Sequence, residues 1–256
     1  MRPDADRSLG FTLVEMAMVL LIVGLLLGGG LSVISTQIEQ QKIKDTQKVL
    51  EDAREALIGF AAANGRLPCP ASAASNGIES PAGGSTSVIP CSNPYNGFLP
   101  AATLGMSGLD ANGYLLDGWQ GSANRVRYAV TTAITPGANA NAATSPNGIR
   151  TATLATYAVA PNLRVCGSAT GITATTCGAA PALTTTAVAV VFSLGANAKT
   201  GVAGGIDEAA NQNADQVFVS HAPVDIGGTN GEFDDILTWI PSAILFNRML
   251  QAGSLP

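Results

Sequence analysis

A long apolar run near the amino terminus constrains this chain more than any other feature. It covers about 24 residues, from Phe11 to Ile34, and its only charged residue is Glu15, near its start. An α-helix rises ~1.5 Å per residue, so the run spans about 36 Å, enough to cross the hydrocarbon core of a bilayer. The sequence therefore predicts a transmembrane helix over residues 11–34. A carboxylate inside such a helix is costly and needs a partner or a function.

Three other interpretations of the run remain open. A secretory signal peptide has a shorter apolar region and a small-residue cleavage site, whereas this run contains an acid and exits through Gly28–Gly30. An ordinary single-span anchor that happens to begin with this hexapeptide is the second interpretation. A buried helix of a soluble protein is the third, although 16 consecutive uncharged residues from Met16 to Leu31 exceed what such helices normally carry.

The helical pattern continues beyond the apolar run. From Ser35 to Ala63 the apolar residues fall near one helical face and the charged residues lie mostly on the other. The Asn64-Gly65 pair and the following Pro68 are a stop signal. We therefore predict one helix from residue 11 to residue 63, whose half over residues 35–64 is amphipathic. The positions predicted to face a core are Ile43, Leu50, Ala53, Leu57, Phe60 and Ala61.

Beyond Asn64 the composition changes to Ala, Gly, Thr, Ser, Asn and Pro with few charges, which predicts a globular head over residues 65–256. The sequence predicts an α+β fold in which an antiparallel sheet packs on the second half of the helical stem. Residues 72–90 and 136–149 are predicted surface loops. Residues 236–250 are predicted as a helix or a strand–helix unit interrupted at Pro241, with Trp239 in the core. The predicted strands are Arg125–Thr132, Thr153–Val159, Ala187–Leu194 and Gln216–Ser220.

The hexapeptide Gly10-Phe11-Thr12-Leu13-Val14-Glu15 and the apolar residues after it resemble the processing signal of type IV pilins and of type II secretion pseudopilins. The resemblance implies that a prepilin peptidase removes residues 1–10 by cutting after Gly10 and then methylates Phe11. It also implies that Glu15 pairs with the amino terminus of a neighbouring subunit. In this family Lys or Arg usually precedes the glycine, whereas this chain has Leu9.

The same resemblance implies a single-pass inner-membrane protein with its head in the periplasm. The implied partners are the prepilin peptidase, other pilin or pseudopilin subunits, the inner-membrane assembly platform and the membrane itself. The cysteines agree with an oxidising compartment, because all four lie after the apolar run. Four cysteines allow three pairings, of which Cys69 with Cys91 and Cys166 with Cys177 is the most economical.

Calcium is the one metal that the resemblance suggests. The segment Phe192–Asn197 is similar to a segment in pseudopilin heads, where the loop that follows binds calcium through acidic side chains. Here the following segment, residues 204–215, is rich in acids and amides, and Asp234-Asp235 precede a predicted strand. Oxygen ligands suit calcium, although no EF-hand spacing is present. The candidate ligands are Asp207, Asp215, Asp234 and Asp235.

Composition and motifs favour a structural role over catalysis. The chain has 12% charged residues and a net charge of -5, without the basic stripe of a nucleic-acid binder. Its single histidine, His221, has no catalytic motif around it and is predicted to be structural. We therefore expect no enzyme activity and, calcium aside, no cofactor. The alternative is a membrane-anchored periplasmic binding protein or enzyme whose stem serves only as a tether.

Overall fold

The computed structural model describes residues 10–132, 141–151 and 162–255, apart from the side chains of residues 26–35. The chain divides into two compact units, Met1–Ile43 and Lys44–Pro256. Within the described part the fold is α+β, as the sequence predicts. The helix α1, Leu13–Asn64, contributes residues to both units.

The carboxyl end of α1 lies where the sequence places it. Gly65 follows the last helical residue with φ of 64° and donates its N–H to the carbonyl of Ala61 at 2.8 Å. A left-handed residue at this position is the usual end of an α-helix, and glycine adopts it without steric cost. The predicted stop signal is therefore confirmed.

In the first unit the large apolar side chains from Phe11 to Leu25 are all exposed. Their exposed fractions run from 42% at Val23 to 87% at Leu13. Among the helical residues whose side chains are described, no stretch is both long and apolar enough to span a bilayer. The side chains of the last part of the predicted span, residues 26–34, lie outside that description.

In the second unit α1 buries one face, as its periodicity predicts. Leu50, Ala53, Leu57 and Ala61 are each at most 1% exposed. Their spacing of three and four residues places them on one side of the helix. Each buried leucine contributes roughly 1.5–3 kcal/mol relative to an exposed position. This face therefore fixes the second half of α1 in the head.

The head contains a six-stranded mixed sheet and two further α-helices in its described part. The strand β4 is central, because it pairs with β2, β3 and β6. The strands are β1 Gly97–Phe98, β2 Arg127–Val130, β3 Leu163–Cys166, β4 Ala182–Ser193, β5 Val217–Val219 and β6 Ile236–Pro241. The helices are α2 Ile206–Gln212 and α3 Ser242–Gln251.

The sheet is not purely antiparallel, so that part of the prediction is wrong. The path through the sheet is β1-β2-β4-β3-β5, and β3 pairs with β5 in parallel. The chain between these two strands passes through β4 and α2, which is long enough for the crossover that a parallel pair requires. The other pairs are antiparallel.

The predicted strands compare unevenly with the observed ones. β2 and β5 lie inside their predicted ranges, while β4 begins five residues earlier, at Ala182. The strand predicted over residues 153–159 falls outside the described residues. β1 and β3 are not among the predicted strands, and β1, with two residues, is too short to show a periodic pattern. Residues 236–251 form the predicted strand and helix, with Pro241 at their junction.

Two hydrophobic clusters cover the two faces of the sheet. The first joins the buried face of α1 to Tyr128, Val191 and Met249, the last of these on α3. The second contains Val190, Phe192 and Phe218, with Trp239 partly buried against it. The predicted core position of Trp239 is thus met in part.

The two predicted loops differ in their surroundings. Within residues 72–90, Glu79 is buried and its carboxylate receives both terminal nitrogens of Arg66 at 2.7 Å. Residues 136–140 lie outside the described part. In the described remainder Ala143 and Ile149 are fully buried, so the expectation of a surface loop is wrong there. These apolar residues cover the end of α1, where Gly65 accepts the N–H of Ile149.

Candidate functional site

Four cysteines form two disulfides in the head, which confirms both the predicted bonds and their pairing. Cys69 is bonded to Cys91, 22 residues later, and Cys166 to Cys177, 11 residues later. The first bond closes the loop that holds Glu79, and the second ties the end of β3 to the segment before β4. Both bonds restrict the unfolded chain more than the folded one.

Three carboxylates meet on one side of α2, and we call them the acidic cluster: Glu208, Asp234 and Asp235. One carboxylate oxygen from each lies within 4.8 Å of the corresponding oxygens of the other two. Glu208 is in the first turn of α2, and the two aspartates immediately precede β6. Glu208 is fully buried and Asp235 is 4% exposed.

Backbone and amide donors hold the cluster in place. Glu208 accepts the side-chain amide of Asn197 and the backbone N–H of Asp234, the latter at 2.9 Å. Asp234 accepts the backbone N–H groups of Ala196 and Asn197 through Oδ2. Asp235 accepts the amide of Asn211 through Oδ2 at 2.8 Å. The segment 194–197, α2 and the start of β6 therefore converge on these three acids.

Two oxygens of the acidic cluster are buried without a hydrogen-bond partner. They are Oδ1 of Asp234 and Oδ1 of Asp235. Burial raises the pKa of Asp234 to about 7, and the nearby charge of Glu208 adds to the rise. Burial also raises the pKa of Asp235 well above its usual value, although the bond from Asn211 opposes the shift. Without a cation, the cluster therefore disfavours the ionised form of both aspartates.

The geometry and chemistry of the cluster fit calcium. Calcium binds oxygens at 2.3–2.6 Å, so ligands on opposite sides of the ion lie roughly 5 Å apart, close to the observed spread. Among the described residues no Lys, Arg or His lies within ion-pair distance of the three acids. A bound cation would satisfy both unpartnered oxygens and remove the repulsion among the carboxylates.

A glycine permits the close packing at Asp234. Gly195 has φ of 66°, and a Cβ on it would lie 2.0 Å from Oδ1 of Asp234. Any side chain there would displace this oxygen. The glycine of the Ser193-Leu194-Gly195 motif therefore leaves room for the carboxylate of Asp234.

The structure brings together only two of the four predicted calcium ligands. Asp234 and Asp235 are in the cluster, whereas Asp215 accepts the backbone N–H of Val217 at 2.9 Å and lies elsewhere. Asp207 points into a separate network. Glu208, another acid of the segment 204–215, replaces these two residues. The segment contains α2, and adjacent residues of an α-helix, such as 207 and 208, point their side chains in different directions.

Asp207 accepts donors from several parts of the head. These include the N–H of Ala169, the amide of Asn230 and Nε2 of His221, the last at 3.1 Å. The other ring nitrogen of His221 lies 2.7 Å from the carbonyl of Ala222, and the ring stacks on Phe233 at 3.9 Å. Neither nitrogen of His221 contacts a hydroxyl or thiol in the described part of the chain, so these bonds favour the predicted structural role.

At the amino end of α1, Thr12 and Glu15 form a capping box. The carboxylate of Glu15 accepts the N–H and the hydroxyl of Thr12, both at 2.9 Å, and the hydroxyl accepts the N–H of Glu15. This satisfies two donors at the helix start. The Thr-x-x-Glu spacing in the sequence is the usual signature of this motif. Gly10 and Phe11, the predicted processing residues, precede the helix and are exposed.

Comparisons with protein-family models, with curated proteins and with solved structures found no match in any of the three.

Proposed function

We propose that this chain is a filament subunit of the type IV pilin or type II secretion pseudopilin kind. The observation that carries the proposal is the contrast along α1. From Leu13 to Leu25 its large apolar side chains are exposed all round, while from Leu50 to Ala61 it buries a single face. An exposed apolar helix requires a cover, and a membrane or the stems of other subunits provide one.

In this proposal the chain is inserted in the inner membrane through residues 11–34, with the disulfide-bonded head in the periplasm. A prepilin peptidase cuts after Gly10, methylates Phe11 and leaves a cationic amino terminus. On the assembly platform Glu15 exchanges its bonds to Thr12 for the amino terminus of an adjacent subunit. Attraction between these charges is strong in apolar surroundings, so it sets the axial position of each stem.

Mass spectrometry of the protein purified from its native host tests the processing step. We expect a mature chain that begins at methylated Phe11. A chain that still begins at Met1 in assembled material would contradict the proposal.

Substitution of Glu15 tests assembly without disturbing the helix start. Glu15→Gln keeps a capping-box residue but removes the charge, and we expect filaments to be lost. Thr12→Ala is the matched control, because it breaks the cap and keeps the charge, so filaments should persist. If Glu15→Gln assembles normally, the stem is a tether, and a membrane-anchored binding protein or enzyme becomes the better interpretation.

We also propose that the acidic cluster binds calcium through Asp234, Asp235 and Glu208. The cation would neutralise the three carboxylates and join α2 to the start of β6. Supporting observations are the two buried unpartnered oxygens and the absence of a basic partner among the described residues.

Isothermal titration of the full chain in mild detergent tests this second proposal. We expect one calcium per chain in wild type and none in Asp235→Asn, which keeps the bond from Asn211 but puts an amide nitrogen at the unpartnered position. Magnesium serves as the comparison cation, since it requires a stricter octahedral geometry. No heat from calcium with wild-type protein would dismiss the site.

A further inference from the structure

A small cavity lies beside the first residue of β2, on the opposite side of the head's sheet from α1. Its volume is about 210 Å³, and it is bounded by Arg127, by apolar atoms of Leu194, Ala198 and Val202, and by Gln212. Residues alternate between the faces of a strand, so Arg127 shares a face with Ala129 of the second hydrophobic cluster. The cavity therefore combines one cation with both polar atoms and aliphatic side chains.

Arg127 has no carboxylate partner among the described residues, unlike two other arginines of the head. Arg66 pairs with Glu79 and Arg125 with Asp110, at 2.7 and 2.8 Å. The polar contact found for Arg127 is a 3.3 Å bond from Nη1 to the side-chain carbonyl of Asn96, and its Nε is buried without an acceptor.

The surroundings of Arg127 remove water without supplying an opposite charge. One face of its guanidinium lies 4.4 Å from the centre of the Phe98 ring. Burial lowers the pKa of Arg127. A desolvated guanidinium with unused donors gains more from an anion than an exposed lysine does.

We propose that this cavity binds a small aliphatic carboxylate, whose oxygens pair with Arg127 and whose hydrocarbon part contacts Leu194 and Val202. A carboxylate matches the planar fork of a guanidinium and forms two parallel hydrogen bonds with it. The cavity volume leaves room for only a few carbon atoms beyond the carboxylate. A free short-chain acid and the carboxyl-terminal residue of a peptide share this chemistry. The proposal depends neither on filament assembly nor on calcium.

Titration of the full chain in mild detergent with isobutyrate and with isobutyramide tests the proposal. The two probes have nearly the same shape and differ in charge. We expect isobutyrate to bind about tenfold more tightly, because bonds between charged groups exceed neutral ones by that order. Equal binding of the two probes, or no binding of either, overturns the proposal. This comparison uses wild-type protein and does not rely on a variant folding.

Substitutions then assign the binding to the cavity. Arg127→Gln should remove the preference for isobutyrate, and Arg127→Lys should retain part of it, because the charge remains and the fork is lost. The matched control is Lys199→Gln, an exposed cation on the 3-10 helix Asn197–Thr200 that also supplies Ala198 to the cavity. Its isobutyrate affinity should change less than about twofold. A wild-type affinity in Arg127→Gln, or a loss in Lys199→Gln, overturns the assignment.

A peptide arm separates the two sources of the carboxylate. Acetyl-alanyl-valine carries a free carboxyl terminus, and its amidated form is the neutral control. Tighter binding of the free dipeptide than of isobutyrate assigns the cavity to a peptide terminus, and the reverse order assigns it to a free acid. Inorganic phosphate is included as a competitor, and tighter binding of phosphate than of either carboxylate overturns the ligand class.

Discussion

Asp207 and Glu208 are adjacent in the first turn of α2, yet their surroundings differ. Asp207 lies in a network of hydrogen-bond donors, and Glu208 lies in the acidic cluster. Both are buried, with exposed fractions of 4% and 0%. Asp207 joins a network in which both of its oxygens receive donors, including Asn230 and His221. Glu208 also receives donors, but it faces Asp234 and Asp235, each of which keeps one buried oxygen without a partner.

In our proposal, burial alone therefore does not distinguish the acid that binds a cation from the acid that does not. What separates the two acids is whether the protein supplies enough N–H and O–H groups to the whole cluster. Around Asp207 the donors come from the segments at residues 168–169, 221 and 230. Around Glu208 three carboxylates lie together, two of their oxygens receive no donor, and the described residues supply no cation. Neutralising one acid at a time, with and without calcium, tests this distinction.

The largest expected difference is in the response to calcium. At a free calcium concentration of a hundred times Kd, a single site adds about 2.7 kcal/mol to the free energy of unfolding. We expect that gain in wild type and in Asp207→Asn, and its loss in Asp234→Asn. The Asp234 variant retains an oxygen for the N–H groups of Ala196 and Asn197, so the change is confined to the cation-facing position. Denaturant unfolding with calcium and with EGTA measures it.

Either of two results would remove the distinction. Loss of the calcium response in Asp207→Asn would mean that the two networks act as one site. An unchanged response in Asp234→Asn would place the cation elsewhere.

The sequence was sufficient to predict the part of the fold that depends on helical periodicity. Leu50, Leu57 and Ala61 are buried as predicted, and Gly65 ends α1 through a local backbone preference that any sequence reader can recognise. β1 could not be predicted in this way, because its two residues are too few to show a period. The parallel pairing of β3 with β5 is set by chain crossover and not by local pattern.

The candidate site was predictable only in part. Asp234 and Asp235 were identified by their chemistry, but pairing them with Glu208 required knowing that α2 is a helix packed beside β6. Asp215 illustrates the opposite error, since its carboxylate binds the backbone two residues later, as aspartates in turns commonly do. Residue type indicated the correct region, and tertiary contacts selected the ligands.

In the absence of calcium the two sites should respond to neutralisation with opposite signs. Asp207→Asn removes a charge that accepts several hydrogen bonds, so we expect a loss of about 1.5 kcal/mol. Asp235→Asn replaces a buried carboxyl group that has one unpartnered oxygen, so we expect equal or greater stability than wild type at pH 8. Urea unfolding in EGTA compares them. A similar loss in both variants would indicate that Asp235 is already satisfied without a cation.

A pH dependence of the calcium-free protein is the last expected effect, and solvent around the partly exposed Asp234 reduces it. Burial, aided by the charge of Glu208, raises the pKa of Asp234 to about 7 from the value of 3.8 that holds for an exposed aspartate. Between these values the folded chain holds a proton that the unfolded chain has released, so stability falls as pH rises. The contribution is fully present below about pH 4 and is lost as pH passes through about 7.

Thermal unfolding in EGTA should therefore give a lower Tm at pH 8 than at pH 5, and Asp234→Asn should show a smaller decrease. Calcium favours the ionised carboxylate, so its addition should raise the Tm more at pH 8 than at pH 5. An increase in Tm of the same size at both pH values would mean that Asp234 does not bind the ion.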